Sequence, residues 1–191
     1  MKKMKIIIPL LGIVLAVVFF LYVKSLMKSH DALPKLFEVP AFSWKNQYNE
    51  PVDKSVFNNH ITVVDFIFTN CPGLCPMMAS RMTKFYKDYA KDNRIQFISF
   101  SVDPARDSLR AIQAYAQRYE VTDKRWQFVR TDSTIQQFYE QGFKLGGELP
   151  RGHSGAFVLV DGDGFIRGYY DSNLPSELEQ LRQAIALLKD E

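Results

Sequence analysis

Apolar positions recur in three different ways along this chain. The first is an unbroken block. Ile6 to Val23 runs for 18 residues without a charge, preceded by Lys2, Lys3 and Lys5 and followed by Lys24 and Lys28. As a helix it reaches about 27 Å, close to the hydrocarbon thickness of a bilayer. Hydrophobicity on every side excludes an amphipathic core helix. The block is also too long for a cleaved signal peptide, and it lacks a small-x-small cleavage site. The pattern therefore predicts an uncleaved signal anchor over residues 1–24 and a tether over 25–35. The lysine balance favours a cytoplasmic N-terminus. That makes a single-pass protein of the cell or inner membrane, with its soluble domain on the extracytoplasmic (periplasmic) side.

The second pattern is the short apolar run, and the third is spacing by three and four. Both fill a domain predicted over residues 36–191. Ile61 to Phe68 is a nearly continuous β-branched and aromatic run, the signature of a strand buried on both faces. Ile95–Val102, Gln127–Arg130, Ala156–Val160 and Phe165–Tyr170 read as further strands. The last two are joined by Asp161-Gly162-Asp163-Gly164, a hairpin signal. Helices are predicted from Pro76 (Met78, Met82, Phe85 and Tyr89 on one face), from the cap Ser108 (Leu109, Ile112, Tyr115, Tyr119), from Thr131–Ser133 to about Tyr139, and from Pro175 (Leu178, Leu181, Ile185, Leu188). Residues 36–60 add a hairpin or an irregular edge. The order implies an α/β fold, a central mixed β-sheet flanked by helices.

Charge changes this picture little. The chain has 24 basic and 21 acidic residues, but five of the lysines fall within the first 30 residues, which hold no acid. The remainder has 19 basic and 21 acidic side chains, a balance of −2, so nucleic acid is not an expected partner. No phosphate-binding loop, dinucleotide fingerprint or nucleophile elbow is present.

The two cysteines carry the chemistry. Cys71-Pro72-Gly73-Leu74-Cys75 lies between a buried strand and a helix N-terminus, where partial positive charge and unpaired amides favour thiolate. Two thiols so placed can chelate one soft ion or close into a disulfide. A purely structural disulfide over so small a loop contributes less than the about 3 kcal/mol expected for fifteen residues.

The run Thr69-Asn70-Cys71-Pro72-Gly73-Leu74-Cys75-Pro76 resembles the TxCPxxCP motif of the SCO/SenC copper proteins. Ser101-Val102-Asp103-Pro104-Ala105-Arg106-Asp107-Ser108 is similar to that family's SVDPxRDT, Gly152-His153-Ser154 matches its histidine, and Phe157–Asp161 through Tyr169–Tyr170 resembles its final hairpin. The resemblance runs from about Phe42 to the C-terminus. Gly73 departs from it, since many members carry a polar residue there. The resemblance implies a thioredoxin-like fold, copper as cargo, and a part in assembling the copper A centre of cytochrome c oxidase. It implies Cys71, Cys75 and His153 as copper ligands, and a loop bearing His153 that faces the dithiol. The residue types agree: thiolate selects Cu(I) and imidazole suits copper, whereas a closed zinc site lacks its fourth ligand here. The expected partners are the copper A subunit of a terminal oxidase, a thiol reductant or copper donor protein, and the membrane. The rival function is a thiol-disulfide oxidoreductase working through a redox-active Cys71–Cys75 pair; copper or redox sensing is a third.

Other candidates are weaker. His30 and His60 receive no role. Met78 belongs to an apolar helical face, and Met77 is expected to pack nearby. The DGDG segment lacks the ligand series of a calcium loop. Asp103 to Asp107 is read as a turn with capping, a local ion pair and a position at the site mouth.

Overall fold

The computed structural model describes residues 13–23 and 32–191. The expected anchor over Ile6–Val23 falls partly outside the described residues. Its described part, 13–23, is helical, with side chains such as Phe19 and Phe20 exposed. Among the described residues no helix is long and apolar enough to cross a membrane. The tether falls largely outside them as well.

Pro34–Glu191 forms one compact unit. It is built on an eight-stranded sheet in the order β1-β8-β7-β4-β5-β6-β2-β3. The strands are β1 (Phe37–Glu38), β2 (Ser43–Asn46), β3 (Pro51–Asp53), β4 (Ile61–Ile67), β5 (Ile95–Ser101), β6 (Trp126–Arg130), β7 (Ala156–Val160) and β8 (Phe165–Asp171). β4, β5 and β6 are parallel neighbours, and every other pairing is antiparallel. All residues of β4 and β5 are buried, as their unbroken apolar character requires of strands covered on both faces. Residues 36–60 supply both predicted features, at opposite edges. β2 and β3 form a hairpin beside β6, while the two-residue β1 pairs Phe37 with Ile166 of β8.

Four helical elements cover the sheet: α1 (Leu74–Asp88), α2 (Leu109–Arg118), α3 (Ile135–Gln137) and α4 (Pro175–Asp190). α1 and α2 share one face, where Tyr86 meets Phe97 and Trp126 and Tyr115 meets Phe128. α4 lies beside α1, with Arg182 over the Phe85 ring at 4.4 Å. Ser108 caps α2 by accepting from the Ala111 amide, and Pro175 opens α4, both as expected.

Two boundaries differ from expectation. α1 starts at Leu74, two residues before Pro76. Proline is tolerated there because the first-turn amides have no intrahelical acceptor. α3 does not end at Tyr139 but runs into a wide π turn over Phe138–Gly142, where the Phe143 amide bonds the Phe138 carbonyl at 3.0 Å. On this second face of the sheet Phe138, Tyr139 and Phe143 pack on Phe66 and Phe100. The DGDG segment is a turn: Asp161 Oδ1 accepts from the amides of Asp163 and Phe165, and Gly164 takes φ +81°.

Candidate metal centre

The site is assembled from three segments that follow buried elements. The first leaves β4 through Phe68 and Thr69 and reaches Cys71. Asp107 holds it in place. The Asp107 carboxylate accepts from the Thr69 hydroxyl at 2.6 Å, the Thr69 amide at 3.1 Å and the Ser101 hydroxyl at 2.5 Å. Asp107 is itself buried, so these bonds are charge-assisted and shielded from water. They tie the end of β4 to the end of β5 and to the start of α2. The expected ion pair in the same stretch is Arg106–Asp103 at 3.1 Å, and both residues line the mouth of the site.

The second segment is the first turn of α1. Cys75 sits inside the helix, not on the preceding loop as the position of Pro76 had implied. Its side chain is fully buried, while Cys71 is half-buried in front of the helix end. The Cys75 amide donates to Cys71 Sγ at 3.3 Å. Both thiols are free. Their acidities diverge. Burial alone would raise Cys71, but hydrogen bonds from the backbone amides of Cys75, Gly73 and Leu74 and from the Cys75 thiol outweigh it. The Cys71 thiol therefore lies below its ordinary value. For Cys75 burial dominates and pushes its thiol far up; a hydrogen bond with the Phe68 backbone opposes this only in part, and the neighbouring Cys71 adds to the rise.

The third segment is the stretch before β7, which carries His153. Its backbone crosses itself closely. Gly147 has φ +125°, and a Cβ there would meet the Gly152 carbonyl oxygen at 1.8 Å. A Cβ on Gly152 would lie 2.7 Å from the Glu148 nitrogen. Glycine at both positions is thus a steric requirement. His153 is 5% exposed and edge-on to Phe68, with ring centroids 5.6 Å apart. Its Nδ1 is 3.1 Å from the Ser154 carbonyl oxygen. A carbonyl only accepts, so Nδ1 carries the proton and Nε2 is the free nitrogen. Nε2 lies 3.2 Å from Cys75 Sγ. Burial lowers the His153 pKa, only partly opposed by the Ser154 carbonyl. A neutral imidazole therefore faces a protonated Cys75.

One ligand atom from each of Cys71, Cys75 and His153 lies within 4.8 Å of the others. The structure thus brings together the three predicted site residues. Cys71 and His153 line a cleft of about 620 Å³, walled in part by Phe68, Pro72, Leu74 and Pro150, while Cys75 is fully buried. Two sulfurs and one aromatic nitrogen suit a soft, low-coordinate cation such as Cu(I). The same thiol pair, one acidic and half-exposed and one buried, also suits thiol-disulfide exchange.

Of the weaker candidates, Met78 is buried as expected, but Met77 is 47% exposed and does not pack into the core. At the end of the first turn of α1 it points outward, while Met78, the next residue, is buried. His60 bonds the Asn58 carbonyl, and His30 lies outside the described residues. Sequence reasoning passed over Thr69, Ser101 and Tyr139. Thr69 and Ser101 both stand in the quoted motifs, but Thr69 meets Asp107 across 38 residues, and Tyr139 meets the Ser154 amide across 15.

A model of the SCO1/SenC family matches residues 31–188. The SCO1 protein homolog of Bacillus subtilis is 32% identical over 146 residues, which cover 72% of this chain and 76% of that protein. The solved structure of BsSco, described as a member of the Sco family of cytochrome c oxidase assembly proteins with a disulfide switch, is similar with a TM-score of 0.72 and 27% identity, covering 84% of this chain and 99% of that one. Bradyrhizobium japonicum ScoI, solved with copper bound, shares the fold with a TM-score of 0.64 at 18% identity, covering 78% of this chain and 99% of that one.

Proposed function

The chain belongs to the SCO1/SenC family, and from that premise we propose that it is a membrane-anchored copper metallochaperone. Cys71 and Cys75 supply thiolate sulfur and His153 supplies Nε2. Copper is the cargo, delivered by ligand exchange to the copper A subunit of a terminal oxidase. The observation that carries the reading is the convergence of these three donor atoms within 4.8 Å at the head of α1. Loading must remove the proton of Cys75. Cys71, the more acidic thiol, engages the ion first from the open side. The cation then lowers the Cys75 pKa by direct coordination.

Residues 1–24 anchor the chain in the cell or inner membrane as a single span, with the domain on the extracytoplasmic side. The support is the uncharged block Ile6–Val23 and its flanking lysines. Anchoring donor and acceptor to one membrane raises their effective concentration. Carbonate extraction of membranes tests the anchor, since an integral span stays in the pellet.

The split in thiol acidity favours a second reading, a thiol-disulfide oxidoreductase acting on acceptor cysteines. Cys71 would attack an acceptor disulfide to form a mixed disulfide and release one acceptor thiol; Cys75 would then resolve it, releasing the second acceptor thiol and closing a redox-active Cys71–Cys75 disulfide that a separate thiol reductant reopens. Two measurements separate the readings, copper titration and complementation of oxidase assembly. Cu(I) and Cu(II) are titrated into the reduced full-length chain and its Cys71→Ala, Cys75→Ala and His153→Ala variants. The chaperone reading expects all three variants to bind more weakly. The oxidoreductase reading expects His153→Ala to complement oxidase assembly fully.

A further inference from the structure

A single buried hydroxyl touches both ends of the segment that presents His153. Tyr139 is fully buried in the π turn Phe138–Gly142, its ring edge-on to Phe66 at 4.9 Å. Its Oη donates to the Gly146 carbonyl at 3.1 Å. The same oxygen accepts from the Ser154 amide at 2.6 Å. That amide belongs to the peptide joining His153 to Ser154. The next carbonyl, that of Ser154, takes the proton on His153 Nδ1. A chain of contacts therefore leads from the phenol through the 153–154 peptide to the imidazole.

We propose that Tyr139 is the positioning residue for His153: its hydroxyl staples residues 146 and 154 together and keeps Nε2 turned toward Cys75 Sγ. This rests on His153 being a copper ligand, as argued above. The wide turn is what makes the contact. By closing on the carbonyl five residues back, it pushes Tyr139 out of ordinary helical register, and the Leu145 amide bonds the Tyr139 carbonyl at 3.2 Å. Both ends of the segment are thereby pinned to one residue on the rigid second face of the sheet. Without the hydroxyl, a part-buried amide at residue 154 loses its acceptor, and the segment must shift to satisfy it.

The test uses the full-length chain. Tyr139→Phe keeps the ring and its packing and removes only the oxygen. Cu(II) affinity by chelator competition is expected to fall about tenfold or more, the range found when a support of a metal-ligating histidine is removed. The thiolate-to-copper absorption should move toward that of His153→Ala, while the midpoint potential of the dithiol stays unchanged. In the double variant Tyr139→Phe/His153→Ala, binding should equal that of His153→Ala alone. Wild-type affinity and spectrum in Tyr139→Phe would overturn the proposal. An equal further loss in the His153→Ala background would do so too, since the effect would then bypass the imidazole. If His153→Ala itself binds copper like wild type, the ligand assignment fails first and this proposal with it. A second measurement needs no variant. Amide hydrogen exchange of the metal-free chain should show Ser154 protected, and exchange there as fast as at an exposed turn contradicts the staple.

Discussion

The dithiol part and the histidine part of the candidate metal centre are held in different ways. The dithiol segment is continuous with regular structure: β4 ends beneath it, α1 begins within it, and Asp107 accepts two hydrogen bonds from its Thr69 and a third from Ser101 of β5. The histidine segment, 143–155, has no regular element of its own. It depends on two glycines that let the backbone cross and on the Tyr139 hydroxyl, which bonds Gly146 and Ser154. A rigid half fixes the two sulfurs, and a stapled half brings up the nitrogen. In the proposed chaperone this arrangement would keep the thiols in place and make the imidazole the easier ligand to release, as delivery of copper would require.

The largest effect expected from breaking this arrangement comes from the sulfurs. Cys71→Ala and Cys75→Ala should abolish high-affinity Cu(I) binding in competition with a chelator, whereas His153→Ala should weaken it and alter Cu(II) binding more. Equal losses in all three variants would erase the distinction between the halves.

Beneath the rigid half lies a costly group. Asp65 of β4 is fully buried, and neither of its oxygens has a hydrogen-bond partner. Burial raises its pKa from 3.8 to about 7, opposed only in part by the nearby Ser99 hydroxyl. The folded state therefore keeps a proton that the unfolded state has lost. Stability is full below about pH 4 and declines as the pH rises through about 7, by about 4 kcal/mol in total. Denaturant unfolding across pH 4 to 8 should show this slope, and Asp65→Asn should remove it. A flat wild-type profile contradicts the assignment.

The stapled half is expected to be the more sensitive to a single methyl group. Gly147→Ala combines a disfavoured φ with a backbone clash and should cost about 1–3 kcal/mol. Copper binding through nitrogen should be lost while the dithiol potential is kept. In the rigid half, Thr69→Val removes the hydroxyl that donates to Asp107 and should cost about 1 kcal/mol. There the dithiol potential should shift. The smallest effect is expected at Met77. Its side chain is exposed, and Met77→Leu should leave copper affinity as it is. Weaker binding in that variant would add a sulfur ligand to the centre.

The same contrast explains what could be read from the sequence. β4 and α1 announce themselves through a continuous β-branched run and a helical apolar stripe, so the placing of both cysteines between a buried strand and a helix end was legible. The start of α1 was misjudged by two residues because proline at a third helical position looks like proline at a first. The histidine segment has no periodicity; the resemblance of Gly152-His153-Ser154 to a family motif picked out His153, and the folded backbone supplied the reason for its glycines. Tyr139 was invisible because its role depends on a π turn and on partners 7 and 15 residues away. The pattern marks Asp107 only as part of a local turn, yet Thr69, which gives it two hydrogen bonds, is 38 residues distant. β1 has two residues, too few for any pattern to detect.

X-ray absorption at the copper edge of the reduced, Cu(I)-loaded full-length chain examines the centre itself. Two sulfur scatterers and one imidazole nitrogen, the nitrogen vanishing in His153→Ala, is the expected result. A sulfur-only shell that His153→Ala leaves unaltered would show that the imidazole beside Cys75 takes no part in holding the ion.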